Sequence, residues 1–171
     1  MATGVFLYGE YAKKLMIKNG FNKEKLFVIY NSLSYDEQLR IRENLKVTNI
    51  FNKRFNNNKV NLIFIGRLTE VKKLDMLINS LSLLEKKSVL VNLTLIGEGI
   101  MKEELEEMVK EKNLKNVWFY GASYDETEIS ELIYNADICV SPGNVGLTSI
   151  HSMVYGTPVI THDNFLNQMP E

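Results

Sequence analysis

The sequence predicts an α/β fold, a doubly wound parallel sheet of the Rossmann-like kind. Three observations predict it. Short runs of β-branched, aliphatic or aromatic residues recur along the chain. Each run stops at a turn former, and stretches with helical spacing lie between the runs. Apolar runs of this length read as strands buried on both faces. Strand, turn and helix repeated in that order build βαβ units.

The elements follow in order. Residues 5–8 predict a short strand, and 10–18 a helix that stops at Asn19-Gly20. Residues 26–30 predict a second strand, followed by Asn31-Ser32 and a polar helix over 35–45. Residues 46–59 are polar and asparagine-rich, including Asn56-Asn57-Asn58, and predict a surface loop. The main sheet comes next. Asn61-Leu62-Ile63-Phe64-Ile65 ends at Gly66, and Val91-Asn92-Leu93-Thr94-Leu95-Ile96 ends at Gly97. Val117-Trp118-Phe119-Tyr120 ends at Gly121. Ala136-Asp137-Ile138-Cys139-Val140 ends at Ser141-Pro142-Gly143, and Thr157-Pro158-Val159-Ile160 ends near Thr161. Between them, residues 72–84 place Leu74, Leu77, Ile78, Leu81 and Leu84 on one stripe. Residues 100–112 turn Ile100, Leu105, Met108 and Val109 inward and an acidic face outward, with Glu106 and Lys110 spaced to pair. Residues 125–135 turn Ile129, Leu132 and Ile133 inward, and 147–155 form a shorter, mostly apolar helix. The chain stops without a helix after the last strand, as expected of a fragment of a longer protein.

Composition bounds the function. The 171 residues make one domain or a little more, at roughly 100–200 residues per domain. Lys+Arg is 20 and Asp+Glu is 21, so the chain lacks the basic footprint of a nucleic-acid binder. One cysteine, Cys139, excludes an internal disulfide framework, and with two histidines no structural metal site is expected. Cys139 reads as an inert core residue. No apolar run approaches the roughly 20 residues that span a bilayer, and no basic-then-apolar leader opens the chain. A cytoplasmic protein is expected. Asn92-Leu93-Thr94 matches the glycosylation pattern inside a predicted strand and reads as incidental.

Ligands of open parallel sheets bind beyond the carboxyl ends of the strands, so the strand exits carry the candidates. Gly66-Arg67 leaves the strongest strand, and Lys72 follows at a helix start. Two cations beside helix amides suit a diphosphate: the arginine forks two oxygens and the lysine adds a point charge. The plain alternative is a solvated Arg67–Glu70 pair. Gly97-Glu98-Gly99 lacks the third glycine of a dinucleotide fingerprint, which argues against a nicotinamide enzyme. It reads either as a tight turn or as a place where a ligand comes close. Ser141 to Ser149 runs through Gly143, Asn144, Val145, Gly146, Leu147 and Thr148. Its amides could cradle a phosphate, or Thr148 or Ser149 simply caps the helix. His151, one turn further, reads as structural when taken alone.

These residues carry a resemblance. Gly66-Arg67-Leu68 with Lys72 and Asp75 resembles a "GRL…K…D" segment. Leu95-Ile96-Gly97-Glu98-Gly99, Gly121, Ala136-Asp137, Ser141-Pro142, Gly146-Leu147, Gly156-Thr157-Pro158 and Met169-Pro170-Glu171 follow in matching order. Together they resemble the C-terminal, donor-binding domain of GT-B glycosyltransferases of the group-1, retaining type. The match runs over roughly residues 60–171, and Ile29-Tyr30-Asn31-Ser32 resembles the crossing point between the two domains. The resemblance implies that residues 1–50 are the end of an acceptor domain with its linker, and 51–171 a donor domain incomplete at its C-terminus.

It further implies that the donor is a UDP- or GDP-linked sugar, with no cofactor and no metal. Arg67 and Lys72 match the catalytic basic pair that holds the diphosphate and stabilises the leaving group. Gly66 is expected among the donor-binding residues, Gly97 and Gly99 at the nucleoside side, and Gly143, Asn144, Val145, Gly146, Leu147 and Thr148 at phosphate and sugar. His151 is expected at a ribose hydroxyl or phosphate, and Glu171 at the sugar. The acceptor, a glycan or a lipid-linked glycan, belongs to an N-terminal domain that this chain almost wholly lacks. The chain alone is therefore expected to be inactive. For the full-length protein the resemblance implies peripheral contact with the inner membrane face and a role in bacterial surface polysaccharide synthesis. One departure stands out. The family carries two glutamates around the last loop, where this chain has Gly143 and His151. A variant donor site is expected, and a non-catalytic nucleotide- or sugar-binding module on the same fold is the alternative.

Overall fold

The computed structural model describes residues 3–164 and Gln168. Strands β1 (Val5–Leu7) and β2 (Leu26–Val28) pair in parallel around helix α1 (Glu10–Lys18). Helices α2 (Tyr35–Asn44) and α3 (Ile50–Phe55) follow. Then come β3 (Asn61–Ile65), α4 (Leu74–Lys86), β4 (Asn92–Ile96), α5 (Lys102–Glu111), β5 (Val117–Gly121), α6 (Glu126–Asn135), β6 (Ile138–Ser141), α7 (Thr148–Val154) and β7 (Val159–Thr161). The second sheet has the order β5-β4-β3-β6-β7, and every pairing is parallel. The chain builds outward from β3 to β5, then returns to lay β6 on the other side of β3. That reversal puts a switch point between the carboxyl ends of β3 and β6.

Strand alternation feeds two cores. Ile63, Ile96 and Cys139 face a layer containing Ile129, Leu132, Ile133 and Tyr155 of α6 and the α7 end. Phe64, Leu93 and Leu95 face Leu74, Leu77, Ile78 and Leu81 of α4 and Leu105 of α5. The sheet is thus covered on both faces, as the apolar runs require. Helix α6 starts where Asp125 accepts from the Thr127 and Glu128 amides at 2.9 and 3.3 Å, a side-chain N-cap. Helix α4 starts two residues later than the spacing predicts, because Lys73 turns into the left-handed region at φ 54° after a single turn of 3₁₀ helix.

The expected loop over 46–59 is wrong in its centre. Residues Ile50–Phe55 form α3, and Phe51 is 3% exposed in the core. Phe51 and Phe55 sit one turn apart with ring centroids 6.5 Å from each other, and Phe55 meets Trp118 edge-on at 6.4 Å. Two aromatics at i and i+4 hold a short helix that has no periodic stripe. Asn56, left-handed at φ 54°, ends it. Ile41 and Leu45 pack against this same core. Asn92 is fully buried and bonded to Asn57 and Asn61, consistent with reading its glycosylation pattern as incidental.

Candidate functional site at the strand exits

Three strand exits are laced together by main chain. Gly66 donates to the Ile96 carbonyl at 3.0 Å, Leu68 to Glu98 at 2.9 Å, and Gly97 to Gly121 at 2.8 Å. The chains approach so closely that a Cβ on Gly97 would lie 1.9 Å from the Gly66 oxygen. One on Gly99 would lie 2.2 Å from the Leu68 oxygen. Of the two readings of this turn, the geometry explains both glycines by loop packing. Both still line a cavity of about 400 Å³ with Ile65, Gly66, Arg67 and Tyr124. Among the described residues, Arg67 has no side-chain hydrogen bond or ion pair, so the alternative Arg67–Glu70 pair does not form.

On the other side of β3 the loops are braced by side chains as well. Gly143 donates to Lys72 O at 3.1 Å and Asn144 to Val71 O at 3.0 Å. Lys72 Nζ donates to Asn144 O at 2.6 Å, and the Thr148 hydroxyl to Ile65 O at 2.9 Å. Thr148 is therefore a tie between α7 and β3 rather than a cap. The N-cap position is Leu147, without a side-chain bond. Lys72 braces the β3–β6 junction, while Arg67 lines the cavity over β3 to β5. A Cβ on Gly143 would lie 2.0 Å from Val71 O, so this loop has no room for a glutamate at that position. Gly146 takes φ 54° with open space around it. A groove of about 750 Å³ opens between Val71, Lys73, Asn144, His162 and Gln168.

His151 is engaged by a carboxylate of α6. Its Nε2 lies 2.8 Å from Glu126 Oε1, which also accepts from Tyr155 at 2.6 Å and from Gln38 at 3.0 Å. Burial alone would raise the Glu126 carboxyl, but the Tyr155, His151 and Gln38 bonds together hold it below the usual carboxylate range. Burial and the same carboxylate push the Tyr155 phenol up. His151 thus belongs to a cluster that ties α2, α6 and α7. Burial likewise pushes the Cys139 thiol up, in keeping with an inert core residue. The expected contact of Glu171 lies outside the described residues, as do Met169 and Pro170.

The sequence matches the family "Glycosyl transferases group 1" over residues 46–168. The chain belongs to the group 1 glycosyl transferases. A poly(ribitol-phosphate) α-N-acetylglucosaminyltransferase of Staphylococcus aureus is 29% identical over 165 residues, 94% of this chain and 30% of its own length. An uncharacterized 41.2 kDa protein of the Klebsiella pneumoniae cps region is 29% identical over 164 residues, 94% of this chain and 42% of its own. The crystal structure of a point mutant of S. aureus TarM with fondaparinux, α-GlcNAc-glycerol and UDP superposes with a TM-score of 0.69. It is 27% identical and covers 94% of this chain and 30% of that one. Anabaena HepE in complex with UDP, at 20% identity and a TM-score of 0.71, shares the fold. The chain thus spans less than half the length of these relatives. As a group 1 glycosyl transferase it shares the GT-B sheet. Its sequence reading missed Glu126, Tyr124, His162 and Gln168. The strand-exit rule that singled out Gly66 also reaches His162, which directly follows β7.

Proposed function

We propose that this chain is the donor-binding part of a glycosyltransferase that transfers a sugar from a nucleoside-diphosphate sugar, with UDP as the first nucleotide to test. The observation that carries this is the pair of cavities flanking β3 at the switch point, with Arg67 lining one of them and unpartnered among the described residues. The smaller has an apolar floor of Ile65 and Ile96 beside Tyr124, which suits a nucleoside. The larger, rich in amide side chains, suits sugar hydroxyls. A diphosphate spanning the two meets Arg67 and the amides of 146–148. Negative charge builds on the departing diphosphate as the glycosidic bond breaks, and a guanidinium there lowers the barrier. Lys72 serves this arrangement by fixing the loop that carries those amides. The UDP in the TarM crystal structure supports the choice of nucleotide.

The acceptor is a glycan or lipid-linked glycan, bound by parts of the full-length protein outside this chain. The reaction belongs to the cytoplasm or the inner membrane face of a bacterium, needs no cofactor or metal, and does not proceed on this chain alone. No described helix is long and apolar enough to cross a membrane. The test is calorimetric titration of UDP, GDP and ADP against the wild-type chain and Arg67→Ala. One diphosphate should bind, and Arg67→Ala should lose most of that binding. Equal binding to both proteins would remove Arg67 from the site.

A further inference from the structure

The donor reading uses only one of the two charges in the smaller cavity. Of the residues that line it, Arg67 and Glu98 carry charge. Glu98 stands between the close-packed Gly97 and Gly99 at the β4 exit, and its carbonyl accepts from the Leu68 amide at 2.9 Å. The turn therefore fixes where its side chain starts. Lys102, the first residue of α5, donates to Glu98 Oε1 at 2.6 Å. A Cβ on Gly121 would lie 3.7 Å from that same oxygen. The carboxylate thus reaches the β5 exit, where Ala122, Ser123 and Tyr124 also line the cavity.

Taken alone, Lys102 and Glu98 make a surface pair that contributes little to stability. Their setting gives the pair a second use. Lys102 engages Oε1 and leaves Oε2 without a partner among the described residues. The carboxylates next along the chain are committed to the protein itself. Asp125 caps α6, Glu128 accepts from Ser123, and Glu126 is bonded to Tyr155, His151 and Gln38. Glu98 is the anionic acceptor that this cavity offers to a ligand's donors. A nucleoside diphosphate has the matching asymmetry. Its phosphates are anionic acceptors, and its ribose carries two neighbouring hydroxyl donors. Phosphate beside Arg67 leaves a hydroxyl for Glu98, whereas the reversed pose sets phosphate against a carboxylate.

We infer that Glu98 reads the ribose of the donor: Oε2 accepts from the 2′- and 3′-hydroxyls, and the carboxylate, opposite in charge to Arg67, fixes which way round the nucleotide lies. The inference rests on the donor-site reading. An acidic side chain takes a ribose hydroxyl in dinucleotide-binding sheets by the same chemistry. Lys102 is a positioning residue. It holds the carboxylate over the β4–β5 seam before the ligand arrives, so little ordering is left for binding.

Calorimetric titration of UDP and 2′,3′-dideoxy-UDP against wild type, Glu98→Ala and Glu98→Gln tests this. Wild type should bind UDP at least about tenfold more tightly than the dideoxy nucleotide. Glu98→Ala should bind UDP more weakly and dideoxy-UDP as well as wild type or better, because a charge that repels the diphosphate has gone. The preference for UDP should then fall to about twofold or less, and Glu98→Gln, which keeps an acceptor oxygen, should retain part of it. The melting temperature should stay that of wild type. Equal binding of the two nucleotides by wild type, or an unchanged preference in Glu98→Ala, would overturn the inference. So would an equal loss of both nucleotides, which would make Glu98 structural. If Arg67→Ala still loses UDP in those cases, the donor site stands without Glu98. If UDP binds none of the proteins, the donor reading falls and this inference falls with it.

Discussion

The two seams beside β3 are held differently. The β3–β4 seam is main chain against main chain, with Gly97 and Gly99 leaving no space for a Cβ. The β3–β6 seam shares such contacts at Gly143 but adds struts from Lys72 and Thr148. A seam of peptide bonds has one geometry whatever the side chains do. A seam with side-chain struts can respond to charge and to ligand. The fixed seam carries the proposed nucleoside side, and the adjustable one the groove where phosphate and sugar are proposed to sit.

That contrast can be broken or sharpened, beginning with the largest effect. Gly97→Ala forces a Cβ onto the Gly66 oxygen at a backbone φ of 138°, and should cost about 3 kcal/mol or more in denaturant unfolding. Gly146→Ala, at φ 54° in open space, should cost only about 1 kcal/mol. Equal losses would mean that the fixed seam is not fixed. Arg67→Ala comes next. Losing a charge-assisted fork should weaken UDP by roughly 100-fold, on the order of 2.7 kcal/mol, with the melting temperature unchanged. Lys72→Met removes one strut and should cost on the order of 1 kcal/mol of stability. Hydrogen exchange should then quicken at Asn144 and Val145, and not at Gly66 or Gly97.

The smallest effect is a pH dependence away from both seams. The Glu126 carboxyl is held below its ordinary value in the folded protein. Its contribution is therefore present above the unfolded value and is lost as pH falls through the folded one. Glu126→Gln should lower the melting temperature at neutral pH, and the gap to wild type should close below about pH 4. A gap that persists at low pH would assign the effect to packing instead.

The sheet was legible because buried parallel strands must be short, apolar and stopped by turns, and five such runs stand in the sequence. The exits were legible for the same reason, since Gly66, Gly97 and Gly143 punctuate them. Helix α3 was not, because Phe51 and Phe55 give it two anchors and no stripe. The direction of His151 was not legible either. A helix sequence gives spacing, but the face that turns inward depends on what packs there, and here Glu126 and Tyr155 decide it. Gln168 lies far along the chain from Val145, and no spacing rule connects a side-chain amide to a distant main-chain N–H.

The central claim is that one ligand lies across β3 and touches both seams. Amide chemical-shift mapping during a UDP titration tests it most directly. Shifts are expected at Gly66, Arg67, Gly97 to Gly99 and 145–148, with little change at the asparagine-lined hollow around Asn52 and Asn61 at the amino ends of the strands. Shifts confined to one side of β3, or centred on that hollow, would contradict it.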